Sequence, residues 1–263
     1  MKATKLAVIT GASRGIGRAI SKQLAMHNWR CLLIGRDSEK LKQVIAGLPG
    51  EHDYLALDIT AEDAATQIAR KAATMGGVDL LVNNAGINTM AGFVEILPTD
   101  LKKQMETNLL APMLVSQACL PQLISSHGTI VNVGSAFGAI GFPYQSSYCA
   151  SKFGLRGFTE ALTRELDNQV VVKYLAPRAT TTEMNDDRAT AVNHALGNQM
   201  DSPEVVAQAF MKLLHSNTKR AGIGFPERFF ARLNGLLPEL VDNALIKKVK
   251  TIQTIFSTKE SLR

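Results

Sequence analysis

Short runs rich in Val, Ile and Leu alternate with longer segments of helical spacing throughout this 263-residue chain, and that alternation limits its fold more than any other feature. Runs at 5–10 (KLAVIT), 30–35 (RCLLIG), 54–59 (YLALDI), 78–84 (VDLLVNN), 128–134 (GTIVNVG) and 169–176 (QVVVKYLA) predict six strands, and 220–225 (RAGIGF) a weaker seventh. Strands that are apolar on both faces, each separated by a helix, belong to a parallel sheet covered on both sides. Right-handed crossovers then give an α/β, doubly wound (Rossmann) parallel sheet of six to seven strands, with its ligand crevice at the carboxyl ends of the strands.

A hydrophobic content of 46% with 20% charged residues suits a globular protein with a sizeable core. No linker divides the chain, so residues 1–263 are read as a single domain. Within it, the polar segment 178–200 is read as a substrate-loop insertion over the crevice, and 225–263 as an amphipathic C-terminal extension. No stretch reaches the roughly 18 apolar residues of a membrane span, and the apolar start is too short for a signal-peptide core, so a cytoplasmic location is expected. Cys31, Cys119 and Cys149 are odd in number and far apart, which suits buried thiols and no metal site. The net charge of +6 is spread without a basic, aromatic-interleaved tract, which argues against nucleic acid. Anionic small molecules, an acidic carrier protein or an anionic membrane surface remain compatible with it.

Between the first strand and the first helix stands TGASRGIG, residues 10–17, with glycines at 11, 15 and 17. Unpaired N–H groups at a helix start, together with the positive end of its dipole, hold phosphate. The same glycines alone would also make a tight turn with no ligand. A second constellation follows the fifth strand. Ser135 is followed 13 residues later by Tyr148, and Lys152 lies one helical turn beyond, on the same face as Tyr148. A tyrosine with a pKa near about 10 is a poor acid or base at neutral pH, and a neighbouring ammonium is expected to lower that value.

Together these residues resemble the short-chain dehydrogenase/reductase family: TGASRGIG its cofactor loop, LDIT at 57–60 its adenine-contacting segment, NNAG at 83–86 its fourth-strand signature, and Asn108, Ser135, Tyr148 and Lys152 its catalytic tetrad. The resemblance implies that Gly11, Ser13, Arg14, Gly15, Ile16 and Gly17 hold a pyrophosphate, that Asp58 and Ile59 meet the adenine, and that Asn83, Ala85 and Gly86 support the cofactor from the fourth strand. It further implies that Pro177 and Thr180 lie near the carboxamide or pyrophosphate. Tyr148 would exchange a proton with the carbonyl oxygen, Ser135 would hydrogen-bond that oxygen, Lys152 would tune Tyr148 and bind ribose, and Asn108 would hold a relay water. Taken singly, Ser135 reads equally as a turn residue, Asn108 as a helix-kink residue, and Asn83 with Asn84 as turn formers.

An acid at the end of the second strand would select NAD(H). Here Gly35 and Arg36 stand at that place and Arg14 lies in the glycine loop, so NADP(H) is favoured over NAD(H), with Asp37 one position later as the opposing feature. Two departures from the family pattern stand out. Arg178 replaces the usual glycine after Pro177, either to contact a phosphate or acidic substrate or to face solvent. The C-terminal extension carries apolar stripes that pack on the core or a second subunit, cover an apolar substrate, or rest on a membrane.

The expected activity is NADPH-dependent reduction of a ketone or aldehyde, or the reverse alcohol oxidation, on a lipophilic small molecule. A 3-oxoacyl group on acyl carrier protein or coenzyme A is the alternative substrate, and a non-catalytic dinucleotide sensor the alternative class. The family resemblance also implies that helical segments near 100–123 and 150–167 pair two copies across a two-fold axis into a dimer, so a homo-oligomer, homodimer or homotetramer, is expected.

Overall fold

A computed structural model describes residues 4–185 and 187–260. Residues 1–3, 186 and 261–263, which fall in the expected domain, insertion and extension, lie outside the described residues. The strands are β1 Leu6–Thr10, β2 Arg30–Gly35, β3 Asp53–Ala56, β4 Leu80–Asn83, β5 Thr129–Val133, β6 Val171–Ala176 and β7 Arg220–Gly222. They form one parallel sheet in the order β3-β2-β1-β4-β5-β6-β7, so the strand order reverses between β1 and β4. That reversal opens a crevice above the carboxyl ends of the central strands.

Helices α1 Gly15–Met26, α2 Ser38–Ala46, α3 Ala64–Thr74, α4 Pro98–Met105, α5 Ala111–Ser125 and α6 Ser146–Glu165 follow in chain order. They continue with α7 Asp187–Ala195, α8 Pro203–His215, α9 Phe225–Leu236 and α10 Pro238–Glu260. Each sheet face buries its own apolar layer. Ile20 and Leu24 of α1 meet Phe210 of α8 on one side, while Ile68 of α3 packs near Val115, Cys119 and Leu123 of α5 on the other. Full burial of each Leu, Ile or Phe contributes roughly 1.5–3 kcal/mol, so these layers hold the strand ends in place. The three cysteines are free and buried, and no helix among the described residues is long and apolar enough to cross a membrane.

The structure corrects several expected boundaries. β3 ends at Ala56, before Asp58, because the Asp58 carboxylate turns back to accept from Thr60 N at 3.0 Å and Thr60 Oγ1 at 2.8 Å. The helical segment expected near 100–123 is interrupted by a π-helical turn, Glu106–Leu110. Such a turn widens the helix by one residue and re-aims its side chains. The insertion contains α7, whose Val192 packs with Phe142 beside Ile252 and Phe256 of α10. The extension breaks at Pro238 into α9 and α10, as expected of a proline between two apolar stripes, but α10, at 23 residues, is not the short helix expected there.

Candidate active site

A cavity of about 440 Å³ opens above the strand reversal, walled by the loops that follow β1 to β6 and roofed by α7, α9 and α10. The glycine loop forms its floor. Gly11 has φ +64°, and a Cβ there would lie 2.8 Å from Ala85 Cα, so only glycine fits. The loop is braced from β4: Thr10 Oγ1 accepts from Asn84 N at 2.9 Å and Ala85 N at 3.0 Å, and Asn84 Nδ2 donates to Thr10 O and Gly11 O. Gly17 sits behind this turn, where a Cβ would run into Gly11 O. Gly11, Ser13, Arg14, Gly15 and Ile16 all line the cavity, and a backbone bare of side chains at the start of α1 is what a pyrophosphate requires.

At the far end of the floor stand Arg36, Asp58 and Ile59. Hydrogen bonds from Thr60, with Arg36 nearby, hold the Asp58 carboxyl below the usual carboxylate range. Asp37, the acid that opposed the NADP(H) expectation, caps α2 instead, accepting from Lys40 N at 3.1 Å. Arg14 reaches Glu183 of the insertion at 3.6 Å.

Asn83 is corrected. Its side chain is buried in the sheet, where Nδ2 donates to Asn132 Oδ1 at 2.8 Å and Ser116 Oγ at 3.0 Å, and it does not reach the cavity wall. Alternation along β4 turns Asn83 into a helix-covered face, and its neighbour Asn84 meets the cavity. Ala85 and Gly86 also line it.

The π-helical turn carries Asn108 inward to bridge strand-end and helix. Its Oδ1 accepts from Ile87 N at 2.8 Å, while Nδ2 donates to Ile87 O at 2.9 Å and Ser151 Oγ at 3.1 Å. Asn108 is fully buried and stands behind Gly86, where a Cβ would come within 3.3 Å of Asn108 Oδ1 and 3.7 Å of Lys152 Nζ.

Ser135, Tyr148 and Lys152 converge on the cavity wall. Ser135 caps a 3₁₀ turn at Ala136–Gly138 through Phe137 N, 3.1 Å from its Oγ. Its own N–H donates to the hydroxyl of Tyr174 at 3.4 Å. The expected lowering of the Tyr148 pKa is not what the chain alone provides. Removal of the phenol from water pushes it up to about 12, against a smaller opposing effect from the neighbouring Ser135 side chain. Lys152 does not reverse this, because burial brings its own ammonium down to about 8 and its Nζ, 5.8 Å from the Tyr148 ring centre, donates to Val133 O at 3.1 Å.

Pro177 and Thr180 line the cavity beside Arg178. Neither reading of Arg178 from sequence describes it. Its guanidinium makes two bonds to the Asp201 carboxylate, at 2.8 and 2.7 Å, and a third to Gln199 Oε1 at 2.9 Å, with the Arg178 and Asp201 side chains 12% and 8% exposed. A parallel bridge between Thr180 and Asp201 ties the same two chain segments, so the insertion is closed at its base. Glycine could not supply that clasp.

Two wall residues escaped the sequence reading altogether. Asn88 Oδ1 and Gln145 Oε1 are buried and have no hydrogen-bond partner among the described residues, and both residues line the cavity. No spacing pattern marks them; Gln145, three residues before Tyr148, was the nearest available signal. Around them the roof is apolar, built from Met90, Phe142, Val192, Phe230, Val241 and Leu245.

Comparison with known proteins agrees with this geometry. Residues 5–193 match the short chain dehydrogenase family. The chain is 39% identical over 220 residues to carbonyl reductase family member 4 of Danio rerio, covering 81% of this chain and 92% of that one. It is 37% identical over 218 residues to a 3-oxoacyl-[acyl-carrier-protein] reductase of Bos taurus, again covering 81% and 92%. A solved metagenomic short-chain oxidoreductase in complex with NADP superimposes with a TM-score of 0.70 at 31% identity, over 83% of this chain and 96% of that one. With its parallel sheet, glycine-floored crevice and convergent Ser, Tyr and Lys, this chain belongs to the short-chain dehydrogenase family and is an oxidoreductase.

Proposed function

We propose that the protein reduces a ketone or aldehyde on a lipophilic small molecule, with NADPH as its preferred partner. The observation that carries this reading is the placement of Ser135, Tyr148 and Lys152 together on the wall of a cavity whose floor is a bare glycine loop and whose roof is apolar. When bound, the reduced nicotinamide supplies hydride to the carbonyl carbon. Tyr148, held protonated at neutral pH by its buried setting, gives its proton to the carbonyl oxygen, and Ser135 Oγ hydrogen-bonds that oxygen as charge develops. Lys152 Nζ lies close enough to add positive potential at the phenol once the proton has left. Asn108 fixes the backbone at Ile87, beside Gly86, and thereby the width of the cradle.

The preference for NADPH rests on Arg36 lining the cavity after Gly35, on Arg14 at the glycine loop, and on the diversion of Asp37 into a helix cap. Nothing acidic in the described structure then takes the place at the end of β2 that would repel a 2′-phosphate. The related 3-oxoacyl-[acyl-carrier-protein] reductase supports a second reading, a 3-oxoacyl thioester as substrate. A dinucleotide sensor would need none of the three convergent side chains.

The test is NADPH oxidation with a panel of short ketones, long-chain ketones and 3-oxoacyl thioesters. Tyr148→Phe should keep NADPH binding and lose at least about 10²-fold in turnover. Near-normal turnover by this variant would remove Tyr148 from the chemistry.

A further inference from the structure

We infer that the outer face of α9 docks on an anionic lipid bilayer, placing the mouth of the cavity against the membrane. Among the described residues, α9 buries none of its side chains fully. Phe225, Phe229 and Leu236 are 74%, 53% and 79% exposed and follow one another at spacings of four and seven along one side of the helix. Leu237 and Leu240 extend the stripe around the corner made by Pro238, at 50% and 56% exposure. A sheet-covering helix normally turns such a stripe inward, whereas this one directs it to solvent.

The charge on this face selects the occupant. Arg228 and Arg232 of α9 are exposed beside the stripe, and Lys247 and Lys250 of α10 are exposed further along the same hairpin. The acid of α9, Glu227, faces inward to the cavity and Arg178. Glu239 lies in the first turn of α10, where an acid complements the helix dipole, and the exposed Asp242 follows it on the next turn, so the basic side chains of the hairpin outnumber these two acids. Aromatic and leucine side chains interleaved with arginines suit the boundary between acyl chains and anionic headgroups. An acidic protein would be met by the arginines alone and would leave the phenylalanines uncovered. Phe230 lies on the same helix, 41% exposed yet lining the cavity, so the docking face and the apolar roof are continuous.

Docking can be tested without any assay of the reductase reaction, so its failure is distinguishable from failure of the proposed activity. The intact protein should float with vesicles of phosphatidylcholine containing one third phosphatidylglycerol, and at least about tenfold less with phosphatidylcholine alone or in high salt. The triple variant Phe225→Ser, Phe229→Ser, Leu236→Ser, whose residues lie outside the cavity wall, should stay in the dense fraction while keeping the thermal transition of the parent. Arg228→Gln with Arg232→Gln should lose the preference for anionic vesicles. No flotation of the intact protein, or equal flotation of the triple variant, would overturn the proposal. So would an oligomer that the triple substitution dissociates while the parent stays off the vesicles, since a second copy would then own this face.

Discussion

Replacing Lys152 by methionine probes the cost of keeping a charge in the cavity wall. The Lys152 ammonium is 4% exposed, and burial lowers its pKa from 10.5 to about 8. That gap corresponds to about 3 kcal/mol between the charged and neutral forms. Below pH 8 the side chain is protonated in both the folded and unfolded states, and the folded protein bears the full cost. Between pH 8 and 10.5 the unfolded chain binds a proton that the folded chain does not, so stability rises with pH through this window. By pH 10 the wild type should recover most of that cost, whereas Lys152→Met, having no group to titrate there, recovers none of it. Urea unfolding of both proteins at pH 7 and pH 10 measures the change, because every other titrating group cancels in the difference. The loss of the bond to Val133 O shifts the variant equally at both pH values and drops out as well. A stability difference that is the same at pH 7 and pH 10 would refute the reasoning and mean that Lys152 is solvated in the folded protein.

Other consequences are open to direct measurement. Arg178→Met leaves the Asp201 carboxylate buried and unpaired, so it should lose about 3 kcal/mol of stability, most of it restored by adding Asp201→Leu; a single-variant loss under about 1 kcal/mol in urea would show the clasp to be unimportant. Arg36→Ala should weaken NADPH by about 1.5–3 kcal/mol while leaving NADH nearly unchanged, and equal losses in fluorescence titrations of the two would make Arg36 structural. The exposed apolar residues Met113 and Leu114 of α5, with Phe153 of α6, should be covered in a homodimer, so light scattering should give twice the chain mass for the parent and the single mass for Leu114→Glu; a monomeric parent at micromolar concentration is the contrary result.

Much of this architecture is legible in the sequence. The run LAVI ahead of TGASRGIG fixes a strand, a turn that needs glycine and a helix start, because each depends on local sterics and periodicity. Tyr148 and Lys152 could be placed on one face for the same reason. What escaped depends on contacts between distant residues. Asn83 and Asn84 are identical in sequence, and only the side of β4 to which each points sends one into the sheet and the other to the glycine loop. Arg178 finds Asp201 across 23 residues, and the Asp37 carboxylate is engaged in a helix cap that its neighbours complete. The direction of the Tyr148 pKa is hidden from sequence for a related reason: spacing shows that an ammonium is near, but not that both groups have lost their water.

The ring of Tyr174 on β6 fills the space that side chains at Gly134 and Gly138 would occupy, since a Cβ at either glycine would collide with its phenol. These three positions therefore form one unit of inheritance. Any residue larger than glycine at 134 becomes tolerable only after position 174 has shrunk, while at 138 the Lys152 carbonyl oxygen, 2.9 Å from a Cβ, must give way as well; a smaller residue at 174 leaves a void until Gly134 has grown. Evolutionary paths through this corner are consequently ordered, with the change at 174 preceding the others. Because the same hydroxyl accepts from Ser135 N, each path also passes through the cavity wall that carries Ser135. A combinatorial library over 134, 138 and 174 should yield survivors that pair a larger residue at 134 with a smaller one at 174, with glycine kept at 138.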